Sequence, residues 1–186
     1  MKRLITLFLL CLTTQAIALD FEGVKLSDIV QVGNATLKLN GAGLRTKLIF
    51  KVYVGALYLT EKKHSAATVL ADAGAKRLSM IMLRELSSDQ LMEAFEKGLA
   101  KNNTPAELVA MNSLIKEFSA IFRSAREVIK GDVITIDYFS GEGTRVSING
   151  IEKGRLAGAE FNTALLKIWL GDSPVDDDLK KGLLGE

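Results

Sequence analysis

Hydrophobic and polar residues alternate from Ala35 to Asn40. Leu37 and Leu39 oppose Thr36, Lys38 and Asn40, the period of a half-buried strand. Leu48 to Thr60 (LIFKVYVGALYLT) is rich in β-branched and aromatic residues and apolar on both faces. That pattern predicts a long central strand, covered on both sides along part of its length. Lys76 to Leu83 predicts a third strand. The period then becomes helical. Ser87-Ser88-Asp89-Gln90 is a capping box, followed by Leu91, Ala94, Phe95, Gly98 and Leu99 at helical spacing. Thr104-Pro105-Ala106-Glu107 is a second one, with proline where its missing N–H costs nothing. It opens a predicted helix whose stripe is Leu108, Met111, Ile115, Phe118 and Phe122. Alternation returns over 132–139 and 144–148 around Ser140-Gly141-Glu142-Gly143, a hairpin signal, and Asn149-Gly150 turns again into a short strand at 151–153. Phe161, Ala164, Leu165 and Ile168 form another helix face ended by Gly171, and a last short helix is predicted over 175–184. A helical block between strand-rich ends predicts an α+β domain with a mainly antiparallel sheet.

The first 18 residues follow a different pattern. Met1-Lys2-Arg3 is basic, Leu4 to Leu12 is apolar, and Ala16 and Ala18 are small. This is the pattern of a signal peptide cleaved before Leu19. The apolar run is about nine residues, against the roughly 20 that a spanning helix needs. The expected organisation is therefore a signal peptide at 1–18 and one domain at 19–186, periplasmic or secreted, with no membrane span in the mature chain. Leu10 stands before Cys11 where a lipoprotein signal has a small residue, so lipidation is not expected. The whole chain of 186 residues carries a net charge of +2 and one Cys. Removing 1–18 takes Lys2, Arg3 and Cys11 and no acid, which leaves a neutral domain without thiols. A neutral domain offers no electrostatic footprint for nucleic acid.

Composition narrows the chemistry further. His64 is the only histidine, and it lies in the polar stretch Glu61-Lys62-Lys63-His64-Ser65, where a solvated loop residue is expected. No His/Cys metal site and no Ser-His-Asp arrangement can be assembled from it. The acids Asp176-Asp177-Asp178 lack the spacing of a calcium loop and suit the first turn of a helix. Asn40-Gly41-Ala42-Gly43-Leu44-Arg45 puts Thr46 where a dinucleotide loop has its third glycine, and a strand rather than a helix follows. Asn34-Ala35-Thr36 and Asn102-Asn103-Thr104 are glycosylation triplets read here as incidental. No cofactor is expected.

That same Asn40–Arg45 block, followed by Phe50 to Leu59, resembles the signature of the chalcone isomerase superfamily, in particular its exported bacterial chalcone isomerase-like proteins. The similarity continues through Ser79–Leu86 and the helix after it, and ends in Asn162 to Asp172. It covers nearly all of the domain. The resemblance implies an antiparallel sheet with a layer of helices on one face and an apolar ligand cleft between them. In plant chalcone isomerases the arginine of this block stabilises an oxygen anion, and Arg45 matches it. The other polar positions do not match. The threonine pattern of the next strand is Lys51-Val52-Tyr53 here, and the tyrosine and asparagine of the following helix correspond to Leu91 and Gly98. The threonine of the C-terminal helix corresponds to Ile168. Isomerisation assisted by hydrogen bonds would lose most of its contacts.

Fatty-acid-binding members of the superfamily are similar in another way: the same arginine and a tyrosine on the adjacent strand hold a carboxylate. The resemblance thus assigns Arg45 and Tyr53 to a head group, while Leu91 and Ile168 line the pocket of an alkyl chain. A straight strand would hold residues 45 and 53 about 26 Å apart, at roughly 3.3 Å per residue, so a turn near Thr46-Lys47 is required. The leading expectation is a non-catalytic binding protein for a small apolar anion such as a fatty acid. The alternatives are an isomerase or intramolecular lyase with Arg45 as electrophile and Tyr53 as acid, and a structural or interaction module with a filled core.

Overall fold

The computed structural model describes residues 18–124 and 127–186. The expected signal peptide lies outside the described residues except for Ala18. That residue opens strand β1 (Ala18–Phe21), which pairs with β2 (Val24–Ser27) through a turn at Glu22-Gly23. The expected cleavage point therefore falls one residue inside β1.

The main sheet is built from β3 (Ile29–Val32), β4 (Ala35–Lys47), β5 (Phe50–Leu59), β6 (Lys76–Met82), β9 (Val133–Phe139), β10 (Gly143–Ile148) and β11 (Ile151–Leu156). Its order is β11-β10-β9-β6-β5-β4-β3, antiparallel at every step. The small ladder of β7 (Leu86–Ser87) and β8 (Glu127–Val128) stands apart. The antiparallel α+β fold expected from patterning is the one observed.

β5 is apolar on both faces because both are covered. Tyr53, Leu57 and Leu59 point into a core shared with the helices, together with Leu78, Met80 and Met82 of β6 and Ile134 and Ile136 of β9. Val54, Ala56 and Tyr58, on the alternate positions, meet Leu26, Val32 and Leu37 on the opposite face. The helices occupy one face, as expected. The β1–β2 hairpin and the curled end of the sheet cover the other, which is the second cover that the two-sided apolar pattern of β5 predicts.

Both capping boxes form. Ser87 Oγ accepts from Gln90 N–H while Gln90 Oε1 accepts from Ser87 N–H, which starts α2 (Ser88–Asn102). Thr104 and Glu107 do the same for α3 (Pro105–Ala110). The long helix expected after Thr104 is instead two, because Met111 leaves helical geometry at φ −100°, ψ 9° before α4 (Asn112–Arg123) begins. The break swings the end of the stripe inward. Phe118 and Phe122 of α4 meet Phe95 of α2 with ring centroids 5.1 and 5.3 Å away, and α3 buries no residue of its own.

Two further elements matter for the site. Helix α5 (Ala159–Leu170) packs along α2, and the two approach closely at Gly98, where a Cβ would stand 2.7 Å from Ile168 Cγ2. Helix α6 (Asp177–Leu184) is shorter than the expected 175–184, because Asp176 caps it in extended conformation. It lies directly on β4. A Cβ on Gly43 would come within 2.9 Å of Leu179 Cα, and one on Gly182 within 2.8 Å of Gly43 Cα. The glycines of the 40–45 block are thus a bare landing for a helix. His64, expected in a solvated loop, is exposed but not idle: its Nδ1 lies 2.9 Å from the Leu184 carbonyl at the end of α6.

Candidate functional site

Residues 45 and 53 meet because the chain reverses between them. The turn falls at Leu48-Ile49, two residues beyond the expected place, with Lys47 opposite Phe50. A bulge after Arg45 restores the register, and Arg45 stands directly opposite Tyr53 across β4 and β5. The Arg45 guanidinium carbon is 5.6 Å from the centre of the Tyr53 ring, within the range of cation–π attraction.

All four residues singled out from the sequence reach one cleft between the sheet and the helices. Arg45 and Tyr53 come from the sheet, Leu91 from α2 and Ile168 from α5. The remaining wall is apolar: Met80 of β6, Ala94 and Phe95 of α2, Trp169 of α5, and Val175. Val175, outside any helix, is fixed by its N–H donating to the Ile168 carbonyl. Trp169 is the only tryptophan in the chain. It went unremarked in the sequence because nothing in its spacing marks it as polar lining. Its indole Nε1–H donates to Tyr53 Oη at 2.8 Å, so the phenol is held from behind.

Electrostatically the pair is uneven. Tyr53 is fully buried, and desolvation pushes its hydroxyl up to about 12; Asp176 adds to that while Arg45 and the Trp169 hydrogen bond oppose it. The phenol is therefore neutral across the physiological range. Arg45 carries its charge with no partner: its buried Nε makes no hydrogen bond, and no carboxylate lies within ion-pair distance among the described residues. Asp176 belongs to the adjoining turn but is already engaged. Its Oδ1 accepts from the amides of Asp178 and Leu179, and its Oδ2 accepts from Thr46 N–H at 3.0 Å. An anchored acid beside an unanchored base leaves a cationic donor facing an apolar cleft.

The cleft is nearly closed. It has room for about 20 Å³, one water molecule, where ligand pockets span roughly 300–1,000 Å³. A wider hollow of about 440 Å³ opens between α2, α3 and α4, lined by Leu99, Leu108, Val109 and Ile115. It holds no cation and lies away from Arg45. Among the described residues no group of His, Cys, Asp and Glu could hold a metal ion, and no helix is long and apolar enough to cross a membrane.

Three comparisons bear on this geometry. The model of a family described as chalcone isomerase-like matches residues 18–185. The crystal structure of a fatty-acid binding protein from Arabidopsis thaliana superposes with a TM-score of 0.66, covering 90% of this chain and 96% of that one at 14% sequence identity. At that identity the likeness is one of fold. A search of curated proteins finds no match.

Proposed function

The chain belongs to the chalcone isomerase-like family, and from that premise we propose that it is an exported, non-catalytic binding protein for a small apolar anion such as a fatty acid. The observation that carries the reading is the unpartnered Arg45 guanidinium at an apolar cleft between sheet and helices. A guanidinium takes a carboxylate through two parallel hydrogen bonds, and the neutral Tyr53 hydroxyl adds one donor. Leu91, Ile168 and Phe95 offer an alkyl chain only apolar contact, about 0.8 kcal/mol for each buried CH₂. The fatty-acid binding neighbour of the same fold supports this choice of ligand. A hydroxyl held up at about 12 is poorly matched to proton transfer near neutral pH, which argues against Tyr53 as a general acid.

Admission of a chain several times larger than the present space requires α2 and α5 to separate. They pack tightly at Gly98, where a Cβ would stand 2.7 Å from Ile168 Cγ2. Residues 1–18 direct the chain to the periplasm or outside the cell and are removed there.

Trp169 makes the test direct, because the sole indole lies in the wall of the cleft. Protein purified from its host is weighed by mass spectrometry, which reads whether residues 1–18 have been removed. It is then titrated with palmitate while indole emission is followed. Saturable binding is expected, weakened at least tenfold in Arg45→Ala, equal to about 1.4 kcal/mol or more, and weakened similarly for the methyl ester. Equal affinity of wild type and Arg45→Ala would sink the head-group assignment. The closed cleft favours one competing reading, a module that binds no ligand, and absence of any saturable change in the wild type would establish it.

A further inference from the structure

We infer that the end of the sheet carrying the β4–β5 turn docks on an anionic lipid bilayer. The turn itself is the first observation. Leu48 and Ile49 are 89% and 85% exposed and Phe50 is 52% exposed, at the tip of a hairpin paired up to Lys47 and Phe50. Leu48 has φ +57°, a conformation that hairpins ordinarily give to glycine or asparagine. Neither burial nor turn geometry accounts for a leucine there.

The second observation is that this tip is not isolated. Tyr53 of β5 stands opposite Met82 of β6, Met82 N–H donates to the Asp132 carbonyl before β9, and Asn149 N–H donates to the Val133 carbonyl. These links place the β4–β5 turn, the stretch after β6, the 129–132 loop and the β10–β11 turn at one end of six neighbouring strands. That front is about 24 Å wide at roughly 4.8 Å per strand spacing. Ile129 and Ile151, 50% and 64% exposed, lie along it. Five of the eight large apolar side chains exposed among the described residues therefore share one end of the molecule, well beyond the scatter that needs no explanation. The β4–β5 turn projects furthest, about 10 Å past the last β5–β6 pair at roughly 3.3 Å per residue.

Charge selects the occupant. Lys47, Lys51, Arg84 and Lys130 rim the apolar tips, while among the described residues most acids of the same end, Glu22, Asp132, Glu152 and Asp176, are already engaged and only Glu85 and Asp177 are not. Glu22 pairs with Lys51, and Asp132 is taken by the Ile129 amide and by Asn149. Lys47, Arg84 and Lys130 have no ion-pair partner among the described residues, and the Arg84 guanidinium carbon lies 4.9 Å over the Phe50 ring. A convex apolar tip with a basic collar has no groove to receive a shaped partner. It matches a fluid surface in which leucine, isoleucine and phenylalanine enter the acyl boundary while lysines and arginine stay among anionic head groups. Arg45 of β4 lies three residues before Leu48, so docking would bring the cleft to the lipid from which an apolar anion comes. The docking itself does not depend on what the cleft binds.

The test is co-sedimentation of the protein with vesicles of phosphatidylcholine containing 30% phosphatidylglycerol. Binding is expected at low salt, weaker by tenfold or more on pure phosphatidylcholine, and reduced as salt is raised. Leu48→Gly combined with Ile49→Ser gives the turn residues its backbone ordinarily takes, so the fold survives, and thermal melting verifies this. That variant should lose at least tenfold in vesicle binding while still binding monomeric palmitate from solution. Failure of the wild type to sediment with anionic vesicles, or equal binding by the variant, would overturn the proposal. So would concentration-dependent self-association of the wild type that the variant abolishes, since the tip would then serve a second copy of the chain.

Discussion

Two arginine sites in the same sheet are built on opposite plans. On β6, β9 and β10, Arg77 and Arg145 converge on Asp137, which is 0% exposed. Arg77 donates through Nε and Nη2 to both carboxylate oxygens, and Arg145 Nη2 donates to one of them. The Arg145 guanidinium also lies 4.6 Å over the Phe139 ring. On β4, Arg45 has a ring beside it but no acid, and the nearest carboxylate of the adjoining turn is spent on backbone amides. The first arrangement gives each guanidinium a carboxylate and ties three strands together, although Arg145 Nε, like Arg45 Nε, makes no hydrogen bond. The second is open, and an open guanidinium in an apolar wall is costly unless something arrives to complete it. The difference separates an arginine tied to an acid from one whose charge has no acidic partner among the described residues.

The sharpest way to break the contrast is Asp137→Asn. It leaves two partly buried cations facing a neutral group, and a loss of about 3–5 kcal/mol is expected. Chemical denaturation should show it, with melting lowered by roughly 6–20 °C for a chain of this size. A loss below about 1 kcal/mol would place Asp137 with ordinary surface pairs.

Next in size is the alkaline limb of stability. The Tyr53 hydroxyl is raised from 10.0 to about 12 in the folded state. The unfolded chain therefore releases this proton first, and the folded state loses stability as pH rises from about 10 to about 12, by roughly 2–3 kcal/mol at 1.36 kcal/mol per unit. Tyr53→Phe should flatten that limb when denaturation is followed from pH 9 to 12. An unchanged slope would show that the phenol is not sealed in.

The smallest effect tests the open site itself. Arg45→Met removes an unpaired buried donor, so stability should change by less than about 1 kcal/mol in either direction, read from the same denaturation curves. A loss comparable with that of Asp137→Asn would mean that Arg45 is structural after all.

Much of this architecture is written locally in the chain. Ser87/Gln90 and Thr104/Glu107 announce helix starts within four residues, because capping is a short-range exchange of hydrogen bonds. Alternation around 132–148 is equally direct. The failures have physical reasons too. Leu48-Ile49 reads as strand because its composition is strand-like, and only the φ of Leu48 reveals the turn. The four-residue strands β1 to β3 are too short for a period to emerge. Met111 breaks a helix without proline or glycine because tertiary packing of Phe118 and Phe122 demands the bend. Of the site, the Arg45 block and its apolar neighbours were visible through family resemblance. The Trp169–Tyr53 hydrogen bond and the Thr46 amide on Asp176 were not, since each joins residues that only the fold brings together.

The glycine landing on β4 sets an order of events. Asn40 donates to the Leu183 carbonyl across 143 residues of sequence, and Thr46 is fixed by Asp176 across 130. The strand that carries Arg45 is made early in synthesis, while the helix that completes its surroundings is the last element of the fold. Contacts of such separation form late, because loop closure must precede any gain from them. A nascent chain therefore carries Arg45 before the helix that packs against its strand, and the docking of that helix is expected among the last steps of folding.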